Sequence, residues 1–309
     1  MDKLDVAVIR ELLQGLPTSP TRPGIRLSFR AVARRLGVPE GAVRARARRL
    51  VDSGFIRGWA VHPNPNLLGL NERVLLVEAS RGSERDTVEK LMLIEGTVLL
   101  VNYHGNAMGV IFFYKDEKSL QRKTDLVEKV TGGTVLASAD MSFPPCDLRL
   151  RLVDWKILAA LQERIGAPYA EIARGLGLST RTVKRRVTRM TKGGAAFVLA
   201  SGDESKLRDT VRCDLIILWG DQRLRGPAQA ELLHLLADYN FFSGLWTSFS
   251  VFNLLLPNVQ IARDLLEKAS ALKGVEGARV EFLQERHEAY DTLRDQIDEK
   301  VAELGKAAR

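Results

Sequence analysis

Apolar positions along the 309-residue chain change their period several times. Val43, Ala47 and Leu50 stand four and three apart in a stretch otherwise rich in arginine, and Val183, Val187 and Met190 repeat the arrangement 140 residues later. Each set forms a single stripe on a helix, with the cations left on the other faces. The pattern predicts helices over residues 40–51 and 180–191, each preceded by a shorter one at 29–36 and 169–176. A glycine, Gly37 or Gly177, closes the shorter helix and suits a left-handed residue that turns the chain sharply. Upstream, Asp5 and Asp154 open a further helix in each half and are expected as N-caps, where a carboxylate takes up orphan backbone N–H groups.

Beyond each helical trio the pattern shifts to runs of five to eight apolar residues rich in Val, Phe and Leu. In the first half these are 73–79, 97–103, 107–114 and 134–141, with helical patterns at 84–94 and 117–130. In the second they are 211–218, 241–247, 251–256 and 278–283, with helices at 228–236 and 259–272. The order is strand-helix-strand-strand-helix-strand both times, a split βαβ arrangement of ferredoxin-like type. Such a sheet carries helices on one face only, so its other face needs a cover, and the sheet of the other half is the simplest one. The fold class expected is α+β: two winged helix-turn-helix domains (1–62 and 148–203) alternating with two ferredoxin-like domains (70–143 and 208–285). A C-terminal helix follows at 286–309, with Tyr290, Leu293, Ile297, Val301 and Leu304 on one face, suited to docking on the body or to pairing chains.

The two halves are a repeat in sequence as well as in pattern. Ala33-Arg34-Arg35-Leu36-Gly37-Val38 returns as Ala173-Arg174-Gly175-Leu176-Gly177-Leu178, and Val43, Arg46, Arg49 and Gly54 fall on Val183, Arg186, Arg189 and Gly194. The first half carries nine extra residues, which the three prolines of 17–26 place between its first two helices. Small Ala, then Gly four residues on, then Val six further, is the spacing of a helix-turn-helix: Ala lets the helices approach, Gly turns the chain, and Val fills the gap between them.

Charge sharpens this reading. The chain carries 46 Lys+Arg against 38 Asp+Glu, a net +8. Residues 25–58 hold +7 and residues 167–200 hold +6, so the remainder is mildly acidic at −5. Cations concentrated on two repeated helical segments are the footprint of contact with double-stranded DNA. The third helix of a helix-turn-helix enters the major groove with its first turns nearest the bases. Arg44, Thr180, Arg181, Thr182 and Lys184 are therefore candidates to meet bases. Arg48, Arg49, Arg185, Arg189 and Lys192 lie farther along, where phosphates are met. Arg57, on the first wing, and Arg30, on the second helix of the first half, complete the candidate set. Arg46 recurs as Arg186, and either could contact DNA or brace its own domain. Pro39 stands where the second half has the N-capping Ser179, and Gly41 further weakens that helix.

Other classes find little support. No apolar run approaches the roughly 18 residues that span a bilayer. The N-terminus has no basic segment leading into an apolar one, so no secretory signal is expected. Two distant cysteines, Cys146 and Cys213, fit buried thiols in a reducing cytoplasm. The four histidines are scattered, and neither a metal nor a cofactor is expected.

The chain resembles the Lrp/AsnC, or feast/famine, transcription regulators. The resemblance rests on Leu4-Asp5-x-x-x-Ile9, Ala33-x-x-Leu36-Gly37, Val43-x-x-Arg46-x-x-x-Leu50, Gly54-Phe55-Ile56-x-Gly58 and Leu68-Gly69-Leu70. It covers most of the chain twice over and looks like the tandem-fused forms of archaeal members. It implies DNA binding through the winged helix-turn-helix, pairing through the ferredoxin-like domains, and for many members an amino-acid effector. The effector site it implies falls at Gly105, Asn106 and Met108. Members that sense amino acids have Asp three residues after the glycine, where this chain has Met108. The second half, Gly244-Leu245-Trp246-Thr247, also lacks the acid. The implied assembly is a pseudo-dimer within one chain, with further pairing of chains left open. Two rivals stand beside a specific regulator: a DNA-architectural protein of low sequence choice, and an enzyme resembling siroheme decarboxylases, for which His104 is the one histidine near the first sheet.

Overall fold

A computed structural model of the chain describes residues 1–13, 28–80, 85–164, 167–289 and 291–307. The proline-bearing insertion at 17–26, Glu84 and Tyr290 lie outside these residues. The first half runs α1 (Lys3–Leu13), α2 (Phe29–Leu36), α3 (Glu40–Asp52), β1 (Ile56–Pro63), β2 (Asn71–Glu78), α4 (Arg85–Met92), β3 (Thr97–Tyr103), β4 (Ala107–Tyr114), α5 (Glu117–Thr131) and β5 (Thr134–Met141). The second runs α6 (Leu152–Glu163), α7 (Tyr169–Gly175), α8 (Thr180–Lys192), β6 (Ala196–Gly202), β7 (Val211–Trp219), α9 (Gln222–Leu235), β8 (Asn240–Leu245), β9 (Phe249–Leu256), α10 (Val259–Ser270) and β10 (Val275–Glu288), followed by α11 (Asp291–Ala307). The mixed α+β class expected from the sequence is the one found.

The chain forms two compact units, and each draws on both halves. A helical unit comprises Glu11–Gly69, Phe143–Arg208 and Asp291–Arg309; a sheet unit comprises Met1–Arg10, Leu70–Ser142 and Asp209–Tyr290.

In the sheet unit, eight antiparallel strands lie in the order β5-β2-β4-β3-β10-β7-β9-β8. Within each half the first strand lies beside the fourth and the third beside the second, the ferredoxin-like order. The helices of each half cover one face with their own core: Leu75, Val110 and Phe112 in the first, Leu215, Phe252 and Leu254 in the second. On the other face Leu76, Val101, Tyr103 and Ala107 of the first half pack with Ile216 and Leu283 of the second. One half thus covers the other, as the unpartnered faces require.

The halves are also joined edge to edge, which the apolar pattern does not reveal. The sequence predicts a strand at 278–283, but β10 runs for 14 residues. Its first part pairs with β7 (Val280↔Leu215) and its end crosses to β3 (Leu283↔Tyr103, His287↔Leu100). The extension is polar in sequence, Gln284-Glu285-Arg286-His287-Glu288, and is held by backbone pairing rather than by an apolar face. A buried polar contact crosses the same junction: Tyr103 Oη donates to Asp214 Oδ2 at 2.6 Å, and Asn253 Nδ2 donates to Asp214 Oδ1 at 2.5 Å. Burial, and then the neighbouring Asp214 charge, push the Tyr103 phenol well above its ordinary range.

Local signals explain most element ends. Asp116 and Ser119 cap α5 reciprocally, with Ser119 N donating to Asp116 Oδ1 at 2.7 Å. Gly133 leads into β5 so close to β2 that a Cβ there would lie 2.0 Å from Glu78 O. The pattern predicts a helix starting at 228, after Pro227, but α9 begins six residues earlier behind the Asp221 cap and keeps the proline inside it. Asp5 and Asp154 are not themselves the N-caps that the sequence suggests. Each sits three residues inside, where Asp5 Oδ2 accepts from Asp2 N at 3.0 Å and Asp154 Oδ2 from Arg151 N at 2.9 Å. Of the C-terminal stripe, Leu293 and Ile297 are buried and α11 packs on α6, as a docking helix does; it begins three residues after β10 ends.

Glu72, on β2 beside Phe113 and Met141 of the flanking strands, is buried, and burial alone pushes its carboxyl up to about 8. Below its ordinary value of 4.5 the folded and unfolded chains are both protonated. Between there and about 8 only the unfolded chain releases its proton, so stability falls by up to about 1.4 kcal/mol per pH unit as pH rises. Glu72→Gln is expected to raise the Tm at pH 7.5 and to leave it unchanged near pH 4. Thermal unfolding at the two pH values checks this, and a variant no more stable than the parent at pH 7.5 would contradict it.

Candidate nucleic-acid interface

The helical unit holds both helix-turn-helix segments. In the first, Ser28 Oγ accepts from Ala31 N to cap α2, and Gly37 closes it at φ 66, in the left-handed region that β-carbon-bearing residues avoid. Val38 N then returns to Ala33 O at 3.0 Å, holding the turn before α3. In the second, Gly177 takes φ 65 and Leu178 N returns to Ala173 O at 2.8 Å. The turns repeat because the same Ala and Gly recur at the same spacing.

The third helices, α3 and α8, bury the same positions. Val43, Ala47 and Leu50 are buried on one, Val183, Val187 and Met190 on the other. The half-buried positions 42 and 46 match 182 and 186, and the other five positions of the ten-residue stretches 41–50 and 181–190 are exposed. Their N-termini differ as the sequence expects. Pro39 offers α3 no side-chain cap, whereas Ser179 Oγ accepts from Thr182 N at 3.1 Å.

Each trio is followed by one strand, and the two strands pair with each other. β1 and β6 form an antiparallel ribbon with Val61 opposite Val198 and Pro63 opposite Ala196. The wing expected after each helical trio is therefore a strand shared between the halves. Gln162 of α6 fastens the ribbon from the side, donating to Val61 O at 2.7 Å and lying 3.1 Å from His62 Nδ1. Burial lowers the His62 pKa to about 4, so its ring is neutral at pH 7.

The candidate cations fall into distinct environments. Arg30, Arg44, Arg48, Arg49 and Arg57 of the first half are exposed, as are Thr180, Arg181, Lys184, Arg185 and Lys192 of the second. Thr182 is half-buried, its hydroxyl 2.9 Å from Ser179 Oγ and so committed to the cap. Arg57 lies at the end of the ribbon, 3.4 Å from Gly202 O and 3.9 Å from Asp203. Arg186 braces its own domain. Its Nη1 donates to Asp154 Oδ1 at 2.8 Å while Nη2 of Arg189 reaches Oδ2 at 2.9 Å, and Asp154 is fully buried. Arg189 is thus a structural partner first, with part of its guanidinium still open. Arg46 is half-buried like Arg186. No linear spacing announces the Asp154 clamp, which joins residues 32 and 35 apart.

Sequence reading also passes over Glu40 and Phe29. Glu40 Oε1 accepts from Arg44 Nη2 at 2.6 Å, and the Arg44 guanidinium lies 5.5 Å from the centre of the Phe29 ring. The four-residue spacing of Glu40 and Arg44 is a signal for the first contact.

The residues implied for an effector are scattered. Gly105 and Asn106 lie exposed in the turn between β3 and β4, and Asn106 O accepts from Ala79 N at 2.8 Å. Met108 is buried in the core with Leu75 and Val77, so its side chain fills space under the helices instead of facing the turn. Among the described residues no group of three or more His, Cys, Asp and Glu side chains could hold a metal ion. Nor is any helix among them long and apolar enough to cross a membrane.

Two helix-turn-helix segments with exposed cationic third helices, joined by a strand ribbon, define a winged helix-turn-helix protein of the DNA-binding class. Comparison with known families agrees: a winged helix-turn-helix DNA-binding model matches residues 26–57, and an AsnC-type helix-turn-helix model matches residues 152–191. The HTH-type transcriptional regulator Ptr1 of Methanocaldococcus jannaschii is 33% identical over 132 residues, spanning 42% of this chain and 82% of that protein. An HTH-type transcriptional regulator of Pyrococcus horikoshii, PH0140, is 37% identical over 92 residues, 29% of this chain and 52% of the relative. The chain belongs to the Lrp/AsnC family of transcription regulators. Over its whole length the fold is similar to a crystal structure of the siroheme decarboxylase NirDL with an iron-uroporphyrin III analogue, at a TM-score of 0.52, 13% identity and full coverage of both chains.

The Asp154 clamp gives a stability prediction. Removing the carboxylate strands two guanidiniums against a protein surface, and breaking a buried pair costs about 3–5 kcal/mol. Asp154→Ala is expected to lose a large part of that on unfolding in denaturant, while Arg181→Ala, fully on the open face, changes stability by less than about 0.5 kcal/mol. Similar midpoints for the two variants would refute the bracing role.

Proposed function

We propose that a single chain acts as a sequence-specific DNA-binding regulator that presents two unlike reading helices, α3 and α8, to one site. The observation that carries this is the shared burial pattern of the two helices, which keeps Arg44 and Arg48 on one, and Arg181, Lys184 and Arg185 on the other, exposed for contact. Structural cations are satisfied within the fold, as Arg186 is by Asp154. Arg48, Arg181, Lys184 and Arg185 instead stand exposed on the open faces of the two helices. α8 offers Thr180 and Arg181 in its first turn, groups that can meet a thymine methyl and a guanine edge. Because the helices differ, the expected site is asymmetric, or two unequal half-sites about one helical turn apart.

The halves satisfy each other's backbone within the chain, through β1–β6 and β3–β10. This supports the reading of one chain as an internal pseudo-dimer. The proposal includes no effector, because Met108 is committed to the core. A second reading, a tetrapyrrole enzyme, draws on the full-length likeness to the NirDL fold and is tested by adding a siroheme-type tetrapyrrole: a Soret shift or a decarboxylated product would support it.

Affinity for duplex DNA is expected to fall by about a hundredfold or more between roughly 50 and 300 mM salt, since each neutralised phosphate releases counterions. Fluorescence anisotropy on a duplex selected from random sequence measures this. Salt-independent binding would defeat the proposal, and selection that returns no motif would favour an architectural role. Light scattering of the free protein is expected to give the mass of one chain, 34.4 kDa.

A further inference from the structure

The first turn of α3 is chemically unlike that of α8. At the position where α8 has Thr180, α3 has Glu40, and where α8 has Lys184, α3 has Arg44. Acid on a surface meant for phosphates is costly unless it has another task. Here its carboxylate takes one edge of the Arg44 guanidinium, at 2.6 Å, and the Phe29 ring of the preceding helix lies against it at 5.5 Å. Both partners remain open to solvent, with side-chain exposures of 59% for Arg44 and 40% for Glu40. The guanidinium is a planar fork with five donors, so binding one edge to Glu40 leaves others to donate outward.

We propose that Arg44 is the guanine-reading side chain of α3, and that Glu40 and Phe29 are positioning residues that hold it in a reading pose before DNA arrives. The inference rests on the DNA-binding reading above and adds the base class and the device that selects it. An arginine free to rotate loses side-chain entropy when it docks, and a held one loses less. Bidentate donation to guanine O6 and N7 is the pairing that the planar fork suits, and lysine cannot reproduce it. Lys184 gives α8 a point charge at the equivalent position, so the two helices differ in kind there: α3 demands a particular base at that step, and α8 does not. Such a difference fixes which way round the chain lies on its site.

The test uses the full chain and a duplex recovered by selection from random sequence, with each base of the site exchanged in turn. For the parent, exchange of one guanine in the α3 half is expected to weaken binding by at least about tenfold. Arg44→Lys should erase that preference while leaving the salt dependence intact. Glu40→Ala and Phe29→Leu should reduce the preference several-fold without weakening binding to a non-specific duplex. Glu40→Gln, which keeps an acceptor in the same place, should retain most of it. The inference is overturned if Glu40→Ala and Glu40→Gln both tighten binding to every sequence equally, for then Glu40 only neutralises charge. It is also overturned if Arg44→Lys leaves the base preference unchanged while the parent still binds its selected duplex. Failure of the parent to bind any duplex would instead bring down the DNA-binding reading itself, and this inference with it.

Discussion

A strand cannot stand alone. Each helical trio in this chain ends in a single strand, β1 or β6, whose backbone N–H and C=O groups must find partners or lose free energy comparable to a lost hydrogen bond for each group left buried and unpaired. Among the described residues neither half supplies a second strand to make a hairpin with it, so each strand pairs with its counterpart in the other half. From that requirement follows the merging of two distant chain segments into one helical unit. The two helix-turn-helix segments are fixed in a single body through this ribbon, with Gln162 fastening it to α6. The sheet unit obeys the same constraint at β3 and β10, where a polar extension of β10 meets an edge that would otherwise be bare.

Much of this was legible in the sequence where the signal is local. The glycine at 37 and its repeat at 177, the 3.6-period stripes of α3 and α8, and the alternation of strand and helix all depend on neighbours within a few residues. Those elements lie where the pattern puts them: β3, β4 and β5 match the predicted runs in full. What was illegible depends on distant partners. The tail of β10 is polar and helix-like in composition, and only the β3 edge makes it a strand. Asp154 looks like a cap from its neighbours, and only the fold brings Arg186 and Arg189 to it. Met108 reads as a substituted ligand position in a motif, yet its burial makes it core.

The charge pattern was legible in amount but not in kind. Counting residues treats each arginine alike, whereas the structure separates them by what their guanidiniums already touch. Arg186 is spent on a buried carboxylate, Arg189 is divided between that carboxylate and solvent, and Arg181 and Arg185 are exposed. A buried carboxylate between two cations is costly to desolvate and costly to break. Its effect here is to hold α8 against α6, so that the open face of α8 is presented on a stiff support.

Repetition with divergence is the remaining step. The two third helices keep apolar residues at the positions that packing buries: Val43 and Val183 are the same, while Ala47 answers to Val187 and Leu50 to Met190. They differ at the positions that packing ignores: Glu40 against Thr180, Arg44 against Lys184, Pro39 against Ser179. A two-fold assembly of identical chains must carry the same helix twice and is bound to a symmetric site. Two helices on one chain are free of that bond, because a change in one leaves the other alone. The scaffold therefore stays matched through its shared core and ribbon, while the exposed first turns can diverge.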